Sequence, residues 1–269
     1  MVEKIQDIMP TGIESHVWVG PYDESKKQME SEGFPEIDLA KNARLRIQQG
    51  AGSFVSRNGN WTSADFLILP NTKPRLTRSS IISAFPVQAT QASRTGEFYI
   101  DTPELKEAFE RALEDSIEIN IDAISTKRFR KGKIASYAFG TTYGKNPDKD
   151  REDAGLYGDF LAKANVSEMP IGLPNAETRP FARKLWFREL DDRSELFANR
   201  DLYLDYDRVR GVREVSAEGA SAPKFSETEQ KGISYTAREV EKYLSVLQGV
   251  RNGNLAPAEL ETLITSFKK

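Results

Sequence analysis

Apolar positions recur at the spacing of an amphipathic helix in two stretches of the first half of the chain. The first stretch predicts a helix from Glu36 to Gln49, and Gly50 follows it as a residue type that often caps a helix C-terminus. The second begins at Thr102-Pro103-Glu104, where threonine can cap, proline suits the first helical position and the acid favours the first turn. Each helix should bury one face against a core.

Segments between these helices carry the β-branched and aromatic residues that strands prefer. Asn58-Gly59 predicts a tight hairpin from Ser53 to Ser63, because both residues tolerate the positive φ angles of a primed turn. The apolar run from Phe66 to Leu69 predicts a buried strand that Pro70 would end. Ser79 to Ala92 also has the composition of a strand, with one break.

After the second helix the apolar period changes to two. Ile117, Ile119 and Ile121 alternate with polar residues and predict a strand with one wet face. The cationic stretch from Lys127 to Lys133 should then turn the chain into a second strand from Ile134 to Phe139. The pattern therefore predicts a β-hairpin with a basic tip.

Three regions are predicted along the chain. Residues 1–215 should form an α+β core domain, and residues 216–232 have the small and polar composition of a linker. Residues 233–269 carry two helical stripes and should form a C-terminal helical hairpin. The strands and helices of the core lack a steady alternation, so a mixed or antiparallel sheet with packed helices is favoured over a doubly wound sheet.

The composition excludes several kinds of chemistry. The 269 residues include no cysteine and one histidine, His16, which rules out disulfides, thiolate metal sites and thiol nucleophiles. His16 itself is expected to be an ordinary surface residue. No apolar run reaches the ~20 residues of a membrane span, and no signal-peptide pattern begins the chain. We expect no cofactor and no membrane partner. The expected location is the cytoplasm, either of the protein's own cell or of a host cell, or a particle assembled there.

Cationic residues are segregated along this slightly acidic chain. The net charge is -3, from 38 cationic and 41 acidic side chains, yet no acid occurs between Asp65 and Glu97 or between Asp122 and Asp148. Such segregation creates a positive field that a phosphate backbone would meet. The cations of the two windows are Lys73, Arg75, Arg78, Arg94, Lys127, Arg128, Arg130, Lys131, Lys133 and Lys145.

Aromatic residues interleave with the second window, at Phe129, Tyr137, Phe139 and Tyr143. Aromatic rings stack on unpaired bases, and arginines beside them add cation–π contacts. We therefore expect contacts with single-stranded nucleic acid from Arg75, Arg78, Arg94, Lys127, Arg128, Phe129, Arg130, Lys131, Lys133 and Tyr137. The same window could instead dock an acidic protein, or form a solvated tip whose aromatic rings point to the core.

Catalytic and metal-binding patterns are weak. The glycine-rich stretches at 50–52 and 155–158 lack the flanking residues of a phosphate-binding loop. Asp201, Asp205 and Asp207 would share one face of a strand and could hold a magnesium ion. Arginines nearby in the sequence explain the same pattern as surface ion pairs, so no catalytic residue and no metal ligand is assigned.

These observations favour a non-enzymatic subunit of a larger assembly. Its partners would be nucleic acid, DNA or RNA, held by the basic, aromatic hairpin, and other protein subunits, with a homo-oligomer as one form of assembly. Two alternatives stay open. One is a structural protein of a virion or another assembly without nucleic-acid contact, and the other is a magnesium-dependent enzyme that uses the three clustered aspartates.

Overall fold

A computed structural model describes residues 2–6, 13–94, 96–174, 178–190, 194–198, 204 and 207–214. Their helices are α1 (Tyr22–Ser31), α2 (Leu39–Gln49), α3 (Phe54–Arg57), α4 (Ile81–Ala84), α5 (Pro86–Ala92), α6 (Pro103–Glu114), α7 (Lys133–Phe139) and α8 (Pro147–Lys163), with a 3₁₀ turn at Thr126–Arg128. Their strands are β1 (Glu3–Gln6), β2 (Ile13–Gly20), β3 (Asn60–Ile68), β4 (Arg75–Thr77), β5 (Phe98–Tyr99), β6 (Ser116–Glu118), β7 (Ala123–Ser125), β8 (Glu168–Gly172), β9 (Phe181–Phe187), β10 (Leu196–Phe197) and β11 (Asp207–Glu214).

The strands form a mixed sheet. Its main path runs β1-β2-β11-β3-β9-β10-β8-β7, while β4 extends from β3 to β6 and β5 pairs with β9. Most pairs are antiparallel, and the parallel ones among the described strands are β11 with β3 and β10 with β8. The prediction of an α+β fold with a mixed or antiparallel sheet is confirmed.

Helices cover both faces of the sheet, which is why its central strands are buried almost throughout. Alternate residues of β3 serve opposite cores, with Phe66 on one face and Leu67 on the other. The first core includes residues of α2, α7 and α8, and the second includes residues of α1, α4, α5 and α6. The sheet is thus the middle of three layers.

The two helices predicted from amphipathic spacing are present. In α6 the Thr102 hydroxyl accepts a hydrogen bond from the Leu105 amide, and Pro103 is the first helical residue. α2 starts three residues later than predicted, because the Asp38 carboxylate caps it by accepting from the Lys41 amide at 2.7 Å. Three residues of the strand predicted at 66–69 are the last three residues of β3, which ends at Ile68.

The predicted hairpin at Asn58-Gly59 is wrong. The residues before it form the single helical turn α3, in which the Ser53 hydroxyl accepts from the Ser56 amide. Gly59 meets a packing need, since a Cβ atom there would lie 2.4 Å from the Trp186 indole nitrogen. Residues 79–92, expected as a strand, form α4 and α5 instead.

The predicted basic hairpin is also wrong. β6 ends at Glu118, and the next short strand, β7, leads into the 3₁₀ turn and not into a hairpin partner. Residues 134–139 lie in helix α7, where Ile134, Ala138 and Phe139 are buried in the first core. A short apolar run fits a buried helix and a buried strand equally well, so spacing did not distinguish them.

Two further elements complete the described fold. α8 begins at Pro147, because Asn146 caps it by accepting from the Lys149 amide. β8 follows α8 and pairs with β7. The predicted linker and C-terminal helical hairpin, residues 216–269, lie outside the described residues. Within the described ranges, no helix has the length and apolarity needed to cross a lipid bilayer.

Candidate functional site

An open groove of about 580 Å³ lies against β4, β6, α7 and the start of α8. Its described lining has two carboxylates, Glu118 and Asp150. The cationic side chains of this lining are Arg75, Arg78, Lys131, Lys133 and Arg151. We call this depression the basic groove.

A second hollow, of about 780 Å³, adjoins the basic groove and shares Lys131 and Lys133 with it. Arg128 adds a third cation to its lining, and Glu118 and Glu168 add two carboxylates. Aliphatic side chains, among them Ile121 and Ile124, form much of the remaining surface. The two lysines therefore stand between the two depressions, with a charged surface on one side and a partly apolar one on the other.

Arg75 is held in place by the strand next to it. β4 pairs antiparallel with β6, and the Arg75 Nε donates to the Ser116 hydroxyl at 2.7 Å. One terminal nitrogen donates to the Ser116 carbonyl oxygen at 3.0 Å. These two bonds orient the half-buried guanidinium toward the groove before any ligand arrives.

Arg78 lies between two aromatic rings. Its guanidinium carbon is 4.1 Å from the Tyr137 ring centroid and 4.8 Å from the Tyr143 ring centroid, within cation–π range. Tyr137 donates its hydroxyl to the Asp115 carbonyl oxygen at 2.5 Å. Burial, and after it the Asp115 carboxylate, raises the pKa of Tyr137 above its ordinary value. The tyrosine therefore stays protonated, and it keeps Arg78 at the wall of the groove.

The loop between α7 and α8 is tied to the first turns of α8. The buried Asp150 carboxylate accepts from the Thr142 and Gly144 amides, both at 2.7 Å. Asp153 accepts from the Thr141 amide at 3.2 Å and pairs with Lys149. Because Asp150 is occupied in this way, its charge fixes the loop that borders the groove.

The cations around the groove differ in their pairing. Within the described residues, Arg75, Arg78, Arg128, Lys131 and Lys133 form no ion pair. Arg151, also in the lining, pairs with Asp148 at 3.0 Å. Cations on the surrounding surface are paired as well, as in Lys73–Glu118 at 3.4 Å and Arg130–Asp159 at 2.6 Å. The cations that meet at the two depressions are thus mostly those without a local carboxylate partner.

Most of the residues predicted to contact nucleic acid are brought together. Those lining the basic groove are Arg75, Arg78, Lys131, Lys133 and Tyr137, and Arg128 lines the adjoining hollow. Lys127 and Arg130 are exposed but belong to neither described lining, and Arg130 is paired with Asp159. Arg94 follows α5, which packs in the second core, away from the first-core helix α7.

Phe129 was predicted as a stacking residue, and that prediction is wrong. Its side chain has no exposed surface, and its ring stacks on Phe139 with centroids 5.7 Å apart. Sequence reasoning also missed Arg151, which lines the groove. Arg151 lies among acidic residues in the sequence, and a search for acid-free windows therefore passes over it.

Other candidate chemistry gains no support from the described residues. No group of three or more histidine, aspartate or glutamate side chains in them is placed to hold a metal ion. Asp201 and Asp205 lie outside the described residues, and Asp207 begins β11. His16, expected at the surface, is buried in β2, with its Nε2 atom 2.9 Å from a Glu14 carboxylate oxygen.

Comparisons with known proteins add little to this picture. No family model matches the chain, and no curated protein matches it. One solved structure, from work described as "Accommodation of massive sequence variation in Nanoarchaeota by the C-type lectin fold", is similar at 10% identity with a TM-score of 0.48. The alignment covers 80% of this chain and 98% of that one. A likeness of this size carries no argument about what the groove binds.

Proposed function

We propose that the basic groove binds single-stranded nucleic acid and that the chain acts as a non-enzymatic subunit of a larger assembly. The observation that carries the proposal is the meeting of Arg75, Arg78, Lys131 and Lys133 in one open depression without a carboxylate partner among the described residues. In a chain with more acids than bases, this arrangement leaves positive charge for an external anion.

A phosphate backbone fits this arrangement better than a single small anion does. The cations are distributed along two adjoining depressions and reach from Arg78 through the shared lysines to Arg128. A chain with regularly spaced phosphates can contact several of these groups at once and release counterions at each of them. The Ser136 hydroxyl in the lining offers a further donor to phosphate oxygens.

The aromatic and aliphatic surface beside the cations favours a single strand over a duplex. Tyr137 lines the groove, and Ile121 is 39% exposed in the adjoining hollow. Unpaired bases can place their faces against such side chains, whereas the bases of a duplex are stacked on one another. The groove therefore combines the two contacts that single strands use, charge for the backbone and apolar surface for the bases.

Binding of labelled oligonucleotides at two salt concentrations tests the proposal. We expect binding to weaken strongly between about 50 mM and about 200 mM salt. The Lys131→Gln/Lys133→Gln variant should lower the slope of log K against log salt by roughly 1.4, about 0.7 for each phosphate that the protein no longer neutralises. The matched control is Lys27→Gln/Lys106→Gln, which removes the same charge from exposed positions on α1 and α6 and should keep the wild-type slope.

Three results would contradict the proposal. The first is no oligonucleotide binding at micromolar protein, and the second is binding without salt dependence. The third is tight binding of a labelled acidic peptide that the double lysine variant abolishes while oligonucleotides stay unbound. That third outcome would instead identify the groove as a docking surface for an acidic protein, in line with a structural role in an assembly without nucleic-acid contact.

A further inference from the structure

Tyr143 differs from the other aromatic residues of its region. Phe129 and Phe139 have almost no exposed surface, and Tyr137 is partly covered by Arg78. Tyr143 leaves 50% of its surface open to solvent, which makes it one of the most exposed large aromatic or aliphatic residues in the described part of the chain. An exposed aromatic ring next to a cationic groove is able to contact a ligand that binds there.

The backbone at Tyr143 lies in a conformation that side chains rarely adopt. Its φ angle is 55°, in the left-handed region that normally favours glycine, and Gly144 follows at 84°. The Asp150 carboxylate holds the amides on both sides of Tyr143, those of Thr142 and Gly144. Such a conformation persists when its surroundings impose it, and a costly exposed conformation is frequently associated with a functional site.

The ring itself is held at two points. The Tyr143 hydroxyl donates to the Asp38 carboxylate at 2.8 Å, and Asp38 is fixed in turn because it caps α2. The Arg78 guanidinium lies 4.8 Å from the ring centroid. A ring already held in one orientation loses little conformational freedom when a ligand packs against it.

The ring is also located where a bound strand would reach it. Arg78, which packs on the ring, and Gly144, its neighbour in the chain, both belong to the lining of the basic groove. Tyr143 therefore stands at the edge of the groove, next to cations that would hold the backbone of the strand.

We infer that Tyr143 is a stacking platform for one unpaired base of a strand bound in the basic groove. This inference rests on the proposed function. The base would lie on the open part of the ring while Arg75, Arg78 and the two lysines contact phosphates on either side of that nucleotide. The electron-rich ring, polarised by Arg78, accepts any base, so the site should show little sequence preference.

Paired binding measurements test the inference. Wild type, Tyr143→Ala and Tyr143→Phe are each titrated with a short oligonucleotide and with the same backbone lacking its bases. Tyr143→Ala should weaken binding of the base-bearing strand by about 5- to 150-fold, the range for removal of one stacked base. It should barely change binding of the abasic strand, while Tyr143→Phe keeps most of the preference for bases because the ring remains.

The matched control is Lys131→Gln, which should weaken both strands by the same factor because it removes a cation that holds the backbone. The ratio of the two affinities does not depend on the fraction of folded protein, so a destabilised variant still gives an answer. If Tyr143→Ala weakens both strands equally, the residue only positions Arg78 and the inference is wrong. If Tyr143→Ala changes neither while Lys131→Gln does, the inference is wrong and the proposed function stands. If wild type binds neither strand, the proposed function itself fails.

Discussion

Two regions of this protein differ in whether their charged side chains are buried and paired. One region is a buried network on β3 and β9, where Lys184 is fully buried and lies 3.0 Å from a Glu36 carboxylate oxygen, with the buried Asp65 nearby. The other is the basic groove, where Lys131 and Lys133 are exposed and have no carboxylate partner among the described residues. The first region supplies each charge with a counter-charge, and the second does not.

The buried network is closed by hydroxyl groups. Lys184 donates to Ser83 at 2.8 Å, and Ser83 donates to Glu36 at 2.7 Å. Asp65 accepts from the Ser80 hydroxyl at 2.7 Å and from the Ile82 amide at 3.0 Å. Through these bonds the network fastens the short helix α4 to the sheet.

The comparison shows which charges serve the fold. A charge removed from water is costly unless partners surround it, so the Lys184 ammonium needs Glu36 and Asp65. A charge left in water has no such need, and the groove cations can stay unpaired without harm to folding. Mutations in the buried network should therefore lower the stability of the fold, whereas mutations in the basic groove should weaken ligand binding.

The largest effect is expected from Lys184→Met. The substitution leaves the Glu36 and Asp65 carboxylates buried without their cation, and removing one partner of a buried pair costs about 3 to 5 kcal/mol. Urea unfolding measures the loss, with Lys131→Met as the matched control that should stay within about 0.5 kcal/mol of wild type. If both substitutions lowered the free energy of unfolding by the same amount, the conclusion that only the network charges stabilise the fold would be wrong.

A smaller and pH-dependent effect is expected from Asp65. Burial raises the pKa of Asp65 from its ordinary 3.8 to about 6, although the Lys184 charge opposes this. The folded protein then binds a proton more tightly than the unfolded chain does. Protonated Asp65 therefore stabilises the fold, and this contribution is fully present below about pH 4. It is lost as the pH rises through 6, which lowers the free energy of unfolding by about 3 kcal/mol.

Asp65→Asn tests this sign, because asparagine keeps the shape and does not titrate. The free energy of unfolding of the variant minus that of wild type should increase as the pH rises from about 4 to about 7, because wild type loses stability over this interval and the variant does not. If this difference does not change with pH, Asp65 keeps an ordinary pKa. The network would then lack the effect of burial that distinguishes it from the groove.

The smallest effect is expected when charge is removed from the groove. Lys131→Gln/Lys133→Gln should leave the free energy of unfolding unchanged or raise it by up to about 0.5 kcal/mol, since neighbouring unpaired cations repel one another. The gain should shrink at high salt, where that repulsion is screened. A decrease of more than about 1 kcal/mol, well above the range for surface substitutions, would mean that the lysines have a structural role, and the contrast with Lys184 would weaken.

Part of the fold could be predicted because its signals are local. The cap and the amphipathic face of α6 lie within about ten residues of one another, and so does the apolar run in β3. The residues from Ile134 to Phe139 could not be assigned in this way. Their run is too short for its period to be decisive, and packing against the first core selects the helix.

The candidate site likewise has features that the sequence shows and features that depend on packing. Acid-free windows are visible in the sequence, and four of their cations, Arg75, Arg78, Lys131 and Lys133, line one groove. The hairpin that was expected to carry the two lysines does not exist. Which aromatic ring faces outward was not visible. Phe129 and Tyr143 occur in the same window, but Phe129 is buried against Phe139 of α7 and Tyr157 of α8. Tyr143 lies in the loop between these two helices and stays half exposed.

By itself, the sequence determined the α+β class, the absence of cysteine chemistry and the segregation of positive charge, because composition and short-range spacing express these properties directly. The tertiary structure decided which cations meet, which of them find carboxylates and which tyrosine stands at the edge of the groove. Those outcomes depend on contacts between residues far apart in the chain, such as Arg75 with Ser116 and Tyr143 with Asp38. No local pattern specifies such contacts, because they form only when the sheet and its two helical layers come together.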